Sequence, residues 1–277
     1  MSGLQINYNA AAVDSYNNLD AANSALSQAV GELSSGMQIQ SAADNPSGYV
    51  IGQYLQEEGN GYTQAISNTQ SAVSVLQTAQ GALGQEASIL QTMNSLATEA
   101  ANGGVQDATS QAAAQAQFAS LSSELDQIAS STNYGGTALL DGTYTGVFQV
   151  GPYATTNDQI SVTIAGSGST ALGLSTATIA TTAGAQAAMT SVQTAIATAA
   201  GNAATVGATQ NQITSLAANL TTAQQNIQAA DANLVDVNVA QETSQFASDQ
   251  ILLQSGVSVL SQAQQLPSLA SKLLQNM

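Results

Sequence analysis

Two long stretches of the chain carry apolar or small residues at alternating steps of four and three, and this spacing limits the fold most narrowly. The first stretch runs from Tyr62 to Ala97 and the second from Val192 to Ile227. Heptad spacing lines these residues along one side of a helix, where they bury against another helix. At about 1.5 Å per residue, the first helix would be roughly 50 Å long. A turn region separates the two stretches, so they should pair antiparallel in one bundle.

The alternative for the first stretch is a long core helix of a globular enzyme. Its spacing includes Thr69, Gln80 and Ala87, and the second stretch includes Gln210 and Gln224. Such side chains bury little apolar surface, and only 4% of the residues are aromatic. A thin bundle of closely packed helices therefore fits the sequence better than a thick globular core.

Between the two stretches the period of the sequence changes. Apolar residues from Phe118 to Ile128 predict a third helix, which Asn133–Gly136 ends. Residues 147–150 and 160–164 are rich in apolar and β-branched side chains, which predicts the two strands of a hairpin. Residues 165–184 are mostly Ala, Gly, Ser and Thr, which predicts a linker or a short exposed loop.

The string LSSGMQIQSAADNPSG, from Leu33 to Gly48, separates two helical regions near the start of the chain. Asp44 and Asn45 are good helix N-caps, and Pro46 suits the first turn of the helix that follows. Gly36 and Gly48 either permit backbone bends or are ordinary helix punctuation.

Helical spacing is also present at both ends of the chain. The first region runs from Val13 to Met37 and the last from Phe246 to Leu274. Both are amphipathic, and neither has an obvious partner within a compact domain. Asn23 falls on the apolar side of the first, where it either sets the register or is merely tolerated. Pro267 is expected to interrupt or kink the last helix.

These two ends resemble the terminal blocks of bacterial flagellins, in the order expected for that family. The resemblance covers roughly residues 1–165 and 186–277. The residues that match the turn motif near the start are Leu33, Ser34, Ser35, Gly36, Ile39, Asp44 and Gly48. The apolar residues in the matching C-terminal helix are Ile251, Leu252, Val259, Leu260, Leu266 and Leu273.

The resemblance implies a mainly α fold: a long antiparallel helical bundle or coiled coil with a small β-hairpin, whose terminal helices are completed on polymerisation. Residues 1–40 with 235–277 would form the terminal coiled coil of the filament core. Residues 41–234 would form an outer helical bundle, with the hairpin at about 146–165 and a short variable loop at about 165–185. The family inserts large outer domains at this loop, so we expect a minimal subunit.

The resemblance also implies a structural subunit that polymerises into the bacterial flagellar filament, the passive propeller for swimming. The turn motif would join the inner and outer layers, and the last helix would drive polymerisation. The chain itself is the main expected partner; export chaperone, cap and hook-junction proteins follow by resemblance, and the location would be extracellular. A hook–filament junction protein of the same superfamily is the alternative, and the near-complete C-terminal block favours flagellin.

The sequence supports polymerisation independently of the resemblance. Two terminal helices that expose apolar stripes would bury them against further copies of the chain. A head-to-tail contact that does not close on itself produces a helical filament.

Enzymatic chemistry has little support in the sequence. The chain has no Cys and no His, which excludes the common zinc sites and the Ser-His-Asp and Cys-His triads. Glu57 and Glu58 are adjacent, so on a helix they would diverge, and we interpret them as surface acids. Residues 165–184 are too few for an enzymatic outer domain. We therefore predict no catalytic, cofactor or metal site, and no run of apolar residues predicts a membrane span.

The charge balance is strongly one-sided. The chain has 17 acidic residues against one basic residue, Lys272, and a formal net charge of −16 at pH 7. It is therefore not expected to bind nucleic acid or anionic membranes.

Flagellins usually carry Arg in two regions that here contain Glu32, Gln38, Thr92, Asn94 and Ser95. An innate-immune receptor recognises that part of the family, so we predict weak or absent recognition.

The lack of cations leads to a hypothesis about acid. At a pH of about 2 to 3 most carboxylates would be neutral, because their reference pKa is near 4. Assembly should then strengthen as the pH falls, because crowded carboxylates repel less when protonated. Resistance to trypsin-like proteases and neutral drift are the alternative explanations.

Overall fold

The computed structural model describes the backbone of residues 9–275 and the side chains of residues 9–265. Within this range the fold is mainly α, as predicted. The helices are α1 (Ala10–Ser35), α2 (Pro46–Ala100), α3 (Ala108–Ser131), α4 (Thr182–Val235) and α5 (Val239–Gln275). The strands are β1 (Asn133–Tyr134), β2 (Thr137–Ala138), β3 (Thr145–Gln149) and β4 (Gln159–Thr163).

The chain divides into two compact units. The terminal unit comprises the residues up to Glu57 together with those from Ile227, and the central unit is Glu58–Asn226. Helices α2 and α4 contribute residues to both units. The domain limits expected at residues 40 and 235 refer to the layers of an assembled polymer, and they stay a prediction.

The core of the central unit consists of two clusters of apolar side chains, mainly from α2, α3 and α4, to which β4 and the connecting segments also contribute. One cluster includes Leu90, Phe118 and Val192, and the other includes Leu76 and Ile213. Helices α2 and α4 run antiparallel, as predicted. Their register is marked by the Gln224 side-chain amide, which donates a hydrogen bond to the Thr63 hydroxyl (2.7 Å).

The buried side of α2 differs from the predicted one by one line of residues. One predicted line is buried, at Thr69, Leu76, Leu83, Leu90 and Ala97. The second predicted line, which contains Gln80 and Asn94, is half-buried or exposed. The second buried line is instead Ala65, Ala72, Ala79, Glu86, Met93 and Ala100. This line is mostly alanine and contains a carboxylate, so hydrophobicity along the sequence could not distinguish it from its neighbour.

The predicted hairpin is confirmed. Strands β3 and β4 pair antiparallel, with Val147 opposite Ser161. A second hairpin, β1–β2, lies where the sequence indicated only the end of a helix. Gly135 and Gly136 form its turn with φ of 59° and 85°, a left-handed conformation that glycine adopts without strain.

The interpretation of residues 165–184 as an exposed loop is wrong. Its non-helical part, residues 165–181, buries Leu172, Leu174 and Ile179 in the cluster that contains Phe118. It is also tied to α3, because Asp126 accepts hydrogen bonds from the Ser169 amide and hydroxyl (2.8 Å each). Because most residues of this segment are Ala, Gly, Ser and Thr, its sequence did not indicate that these few apolar residues are buried.

In the terminal unit, α1 and α5 pack antiparallel. The Asn9 side-chain amide donates to the Ala263 carbonyl (2.7 Å), and Leu19 lies beside Gly256, where an added Cβ would approach its Cδ1 to 3.0 Å. Helix α5 continues past Pro267 to Gln275, so the proline does not interrupt the helix. The alternative expectation, a kink at Pro267, stays a prediction.

Candidate assembly surface

The predicted turn motif is an ordered connection that pairs with the junction between α4 and α5. Gly36 ends α1 with φ of 76°, and its amide donates to the Glu32 carbonyl (2.8 Å). The Gln38 amide donates to the Val235 carbonyl (2.7 Å), and the Val237 amide donates to the Gly36 carbonyl (2.9 Å). These bonds join the two inter-helix connections of the terminal unit. Gly36 itself has the geometry of a left-handed helix C-cap, which is the punctuation alternative.

Side-chain caps form the second half of the turn. The Asp44 carboxylate accepts from the amides of Ser41 (2.8 Å) and Gln40 (3.1 Å) and from the Ser41 hydroxyl. These hydrogen bonds hold the pKa of Asp44 below its ordinary value. The Ser41 amide has the largest effect, followed by the Ser41 hydroxyl and the Gln40 amide. Asn45 is the N-cap of α2, since its side-chain oxygen accepts from the Gly48 amide (2.9 Å).

The remaining predicted turn residues differ in burial. Ile39 and Gly48 are buried against each other, and a Cβ on Gly48 would come within 2.6 Å of Ile39 Cδ1. Leu33 is half-buried, whereas Ser34 and Ser35 are exposed. Gly48 therefore allows a close approach inside the first turn of α2 rather than a bend.

The large apolar side chains of helix α1 fall into two sets, one partly buried and the other exposed. Leu19, Leu26 and Leu33 are partly buried at heptad spacing, whereas Tyr16 and Val30 are 62% and 49% exposed. Asn23 belongs to the exposed set, since it lies at heptad spacing from Tyr16 and Val30.

Helix α5 shows the same division. Leu260 is partly buried, whereas Ile251, Leu252 and Val259 are more than half exposed. Leu252 and Val259 are one heptad apart, and the sequence continues this spacing to Leu266 and Leu273. The side chains of Leu266 and Leu273 lie outside the described residues.

Large exposed apolar side chains are concentrated in the terminal unit. Among the described residues, the central unit exposes four such side chains, and the terminal unit exposes three times as many. We call this set the terminal apolar surface: Val13, Tyr16, Val30, Met37, Val50, Ile51, Tyr54, Val239, Ile251, Leu252, Val257 and Val259. Sequence reasoning missed the members on α2, because the heptad spacing of this helix is clear only from Tyr62 onward.

A groove between α1 and α5 lies within this surface. It has a volume of about 550 Å³, and most of its lining residues are small. Its lining includes Ser15, Leu19, Ala22, Leu252, Gly256 and Val259. Exposed apolar area of this extent is typical of an interaction surface.

The described part of the chain offers little else for chemistry. No group of three or more His, Cys, Asp or Glu side chains in it is placed to hold a metal ion. None of its helices combines the length and the hydropathy needed to cross a membrane. The arrangement is that of a helical subunit with an incompletely buried terminal coiled coil.

Comparison with known proteins gives matches over most of the chain. The bacterial flagellin N-terminal helical region matches residues 6–145, and the bacterial flagellin C-terminal helical region matches residues 189–274. The flagellin of Bacillus subtilis (strain 168) is 34% identical over 98% of this chain and 100% of its own length. That of Listeria monocytogenes is 30% identical over 98% of this chain and 99% of its own.

Solved structures agree with the sequence relatives. The crystal structure of Bacillus cereus flagellin aligns with a TM-score of 0.51 at 29% identity, over 60% of this chain and 94% of that one. A flagellar hook-associated protein from Vibrio parahaemolyticus aligns with a TM-score of 0.58 over 70% of this chain and 100% of that one, but at 13% identity it shares only the fold. The chain belongs to the bacterial flagellin family.

Proposed function

We propose that the terminal apolar surface is where this flagellin packs against copies of itself in the flagellar filament. As a member of its family, the chain is the structural subunit of an extracellular filament, which acts as a passive propeller. The observation that supports our assignment of the surface is the concentration of exposed apolar side chains on α1, α5 and the start of α2. Burying them between subunits would favour assembly by roughly 25 cal/mol per Å² of apolar area.

The experiment compares two exposed valines. Val259 is 53% exposed on α5, and Val105 is 80% exposed beyond the end of α2, in the central unit. Val259→Gln should raise the subunit concentration left unassembled at equilibrium by tenfold or more, since about 1.4 kcal/mol per contact is enough. Val105→Gln is the matched control and should assemble like the parent protein.

Assembly would be followed by seeded elongation, sedimentation of filaments and negative-stain electron microscopy at pH 3 and pH 7. Circular dichroism would verify that both variants keep the helicity of the parent subunit. Equal assembly of Val259→Gln and the parent would contradict the proposal.

The hook–filament junction alternative is not favoured, because the relatives that match almost the full chain are flagellins. The same experiment separates the two functions. A filament subunit elongates seeds into long uniform filaments, whereas a junction protein would stop at short rings or caps.

Further partners follow from the family resemblance. An export chaperone would cover the apolar residues of α5, such as Leu252, before assembly, and cap and hook-junction proteins would contact the ends of the polymer. Copurification of a chaperone with the parent protein but not with Leu252→Gln would support the first of these.

Recognition by the innate-immune receptor is proposed to be weak. Thr92 and Ser95 are exposed and neutral on α2, and Asn94 is half-buried, in a region where flagellins usually carry Arg. A receptor that binds through charged side chains would find few of them there. A binding assay that gave an affinity like that of other flagellins would overturn this proposal.

A further inference from the structure

A polar level separates the two apolar clusters of the central unit. On α2, Leu83 belongs to one cluster and Leu90 to the other; on α4, Val206 and Ala199 are divided in the same way. Between them lies Glu86, which is completely buried on the second buried line of α2. A carboxylate at a heptad core position is costly unless its oxygens find partners.

The register of α2 and α4 brings Asn202 to the same level. Counting equal numbers of residues from the bond between Gln224 and Thr63 places Asn202 opposite Gln85, the residue next to Glu86. The buried residues agree with this register. Met93 lies seven residues from Glu86 on α2, Ala195 lies seven residues from Asn202 on α4, and both are buried. Asn202 and Glu86 therefore face the same level from opposite helices.

The hydrogen bonds at this level are incomplete. The Ser167 hydroxyl, on the segment between β4 and α4, donates to Glu86 Oε1 (2.7 Å) and is itself buried. Glu86 Oε2 is buried without a hydrogen-bond partner, and so is Asn202 Nδ2. Asn202 Nδ2 is a donor, and so is Oε2 when Glu86 is protonated, so one bridging water that accepts from both would satisfy both.

We propose that Glu86, Ser167 and Asn202 form a proton-dependent polar layer that couples the Ser167 segment to the helix pair α2–α4. When Glu86 is neutral, its side chain is buried between the helices at little cost in free energy. When Glu86 is ionised, the buried charge destabilises the layer and with it the packing of the central unit. This device concerns the folded subunit and does not depend on the assembly surface.

The central unit contributes no cation that could stabilise the ionised form, since residues 58–226 contain no Lys, Arg or His. The nearest carboxylates along α2 are Glu99 and Glu58, roughly 20 Å or more away along the helix. On α3, Asp126 is occupied by Ser169, and Glu124 is exposed. In the central unit α4 has no ionisable residue, and neither does the 165–181 segment.

Burial raises the pKa of Glu86 to about 7, and the hydrogen bond from Ser167 opposes this in part. The ordinary value is 4.5. Because the folded form binds the proton more tightly than the unfolded form, the contribution of Glu86 to stability falls as the pH rises from about 4.5 to about 7 and does not change with pH outside that window. The unfolding equilibrium should change by up to about two orders of magnitude across the window.

The test is denaturant unfolding of the full chain at closely spaced pH values between 4 and 8. Glu86→Gln should remove the fall in stability over this window, whereas the exposed carboxylate variant Glu124→Gln should keep it. The same pH dependence in the parent and in Glu86→Gln would overturn the proposal.

Two further variants keep the test decisive if Glu86→Gln folds poorly. Ser167→Ala removes the bond that lowers the pKa, so the fall should extend to higher pH. Asn202→Ala combined with Glu86→Gln should be non-additive, because residues of one layer are coupled. An unmoved profile in Ser167→Ala, or strict additivity in the pair, would contradict the layer.

Discussion

At the scale of single residues, two glycines show how little space the start of α2 has. A Cβ on Gly48 would lie 2.6 Å from Ile39 Cδ1 and 2.8 Å from Asn45 Nδ2. A Cβ on Gly52 would lie 2.9 Å from Val235 Cγ2. All three distances are shorter than ordinary contacts, so these positions are limited by packing rather than by backbone conformation.

We therefore expect Gly48→Ala to lower the free energy of unfolding by about 1 to 3 kcal/mol, as overpacking does. Gly81→Ala is the matched control on the same helix, because nothing lies within 4 Å of its added Cβ. The control should stabilise the protein by about 0.5 to 1 kcal/mol through helix propensity. Urea unfolding followed by circular dichroism measures both; a shift in the same direction for the two variants would refute the packing argument.

At the scale of elements, helix ends are determined locally and were predictable where a capping residue is present. Asn45 caps α2 as expected from the sequence, and Asp107 caps α3 in the same way, accepting from the Ser110 amide (2.7 Å). Local sequence signals did not show which side of each helix is buried. Helix α1 buries Leu19 against α5 and exposes Tyr16, although both have apolar bodies.

The cap of α3 gives a pH-dependent prediction. The hydrogen bonds from the amide and hydroxyl of Ser110 lower the pKa of Asp107 below 3.8. Its contribution to stability is therefore present above pH 3.8 and is lost as the pH falls through the lowered pKa.

Asp107→Ala should reduce the Tm at pH 7 and lose that difference in strong acid. Asp107→Asn keeps a capping oxygen and should stay close to the parent at pH 7. Thermal unfolding at pH 2 and pH 7 measures the effect. A deficit of Asp107→Ala that persists unchanged at pH 2 would show that the charged cap is not its cause.

At the scale of the whole molecule, the charge imbalance governs how subunits come together. The chain has 17 acidic residues and a single Lys, so assembly concentrates negative charge. Crowding raises the pKa of carboxylates relative to the free subunit, so protonation favours the filament. Assembly should strengthen as the pH falls and weaken as it rises.

Filament stability would be measured as the free subunit concentration at pH 3 and at pH 8. We expect the lower concentration at pH 3. High salt should reduce the difference, because screening weakens repulsion between exposed charges. Filaments that are more stable at pH 8 than at pH 3 would exclude the acid hypothesis.

The sequence by itself determined the helices, the β3–β4 hairpin and the family. These depend on residue spacing and on punctuation such as Gly36 and Pro46, which are local properties of the chain. The absence of His and Cys likewise excluded whole classes of chemistry, because those two side chains supply the common zinc ligands and the bases and thiols of the familiar triads.

Only the tertiary structure decided which line of α2 is buried, how the 165–184 segment packs, and where Glu86 lies. The reason is that burial depends on how many neighbours surround a helix and on which sides. Alanine, serine and a single carboxylate carry almost no hydrophobic signal along the sequence, yet they can lie in a core when two helices and a connecting segment close around them.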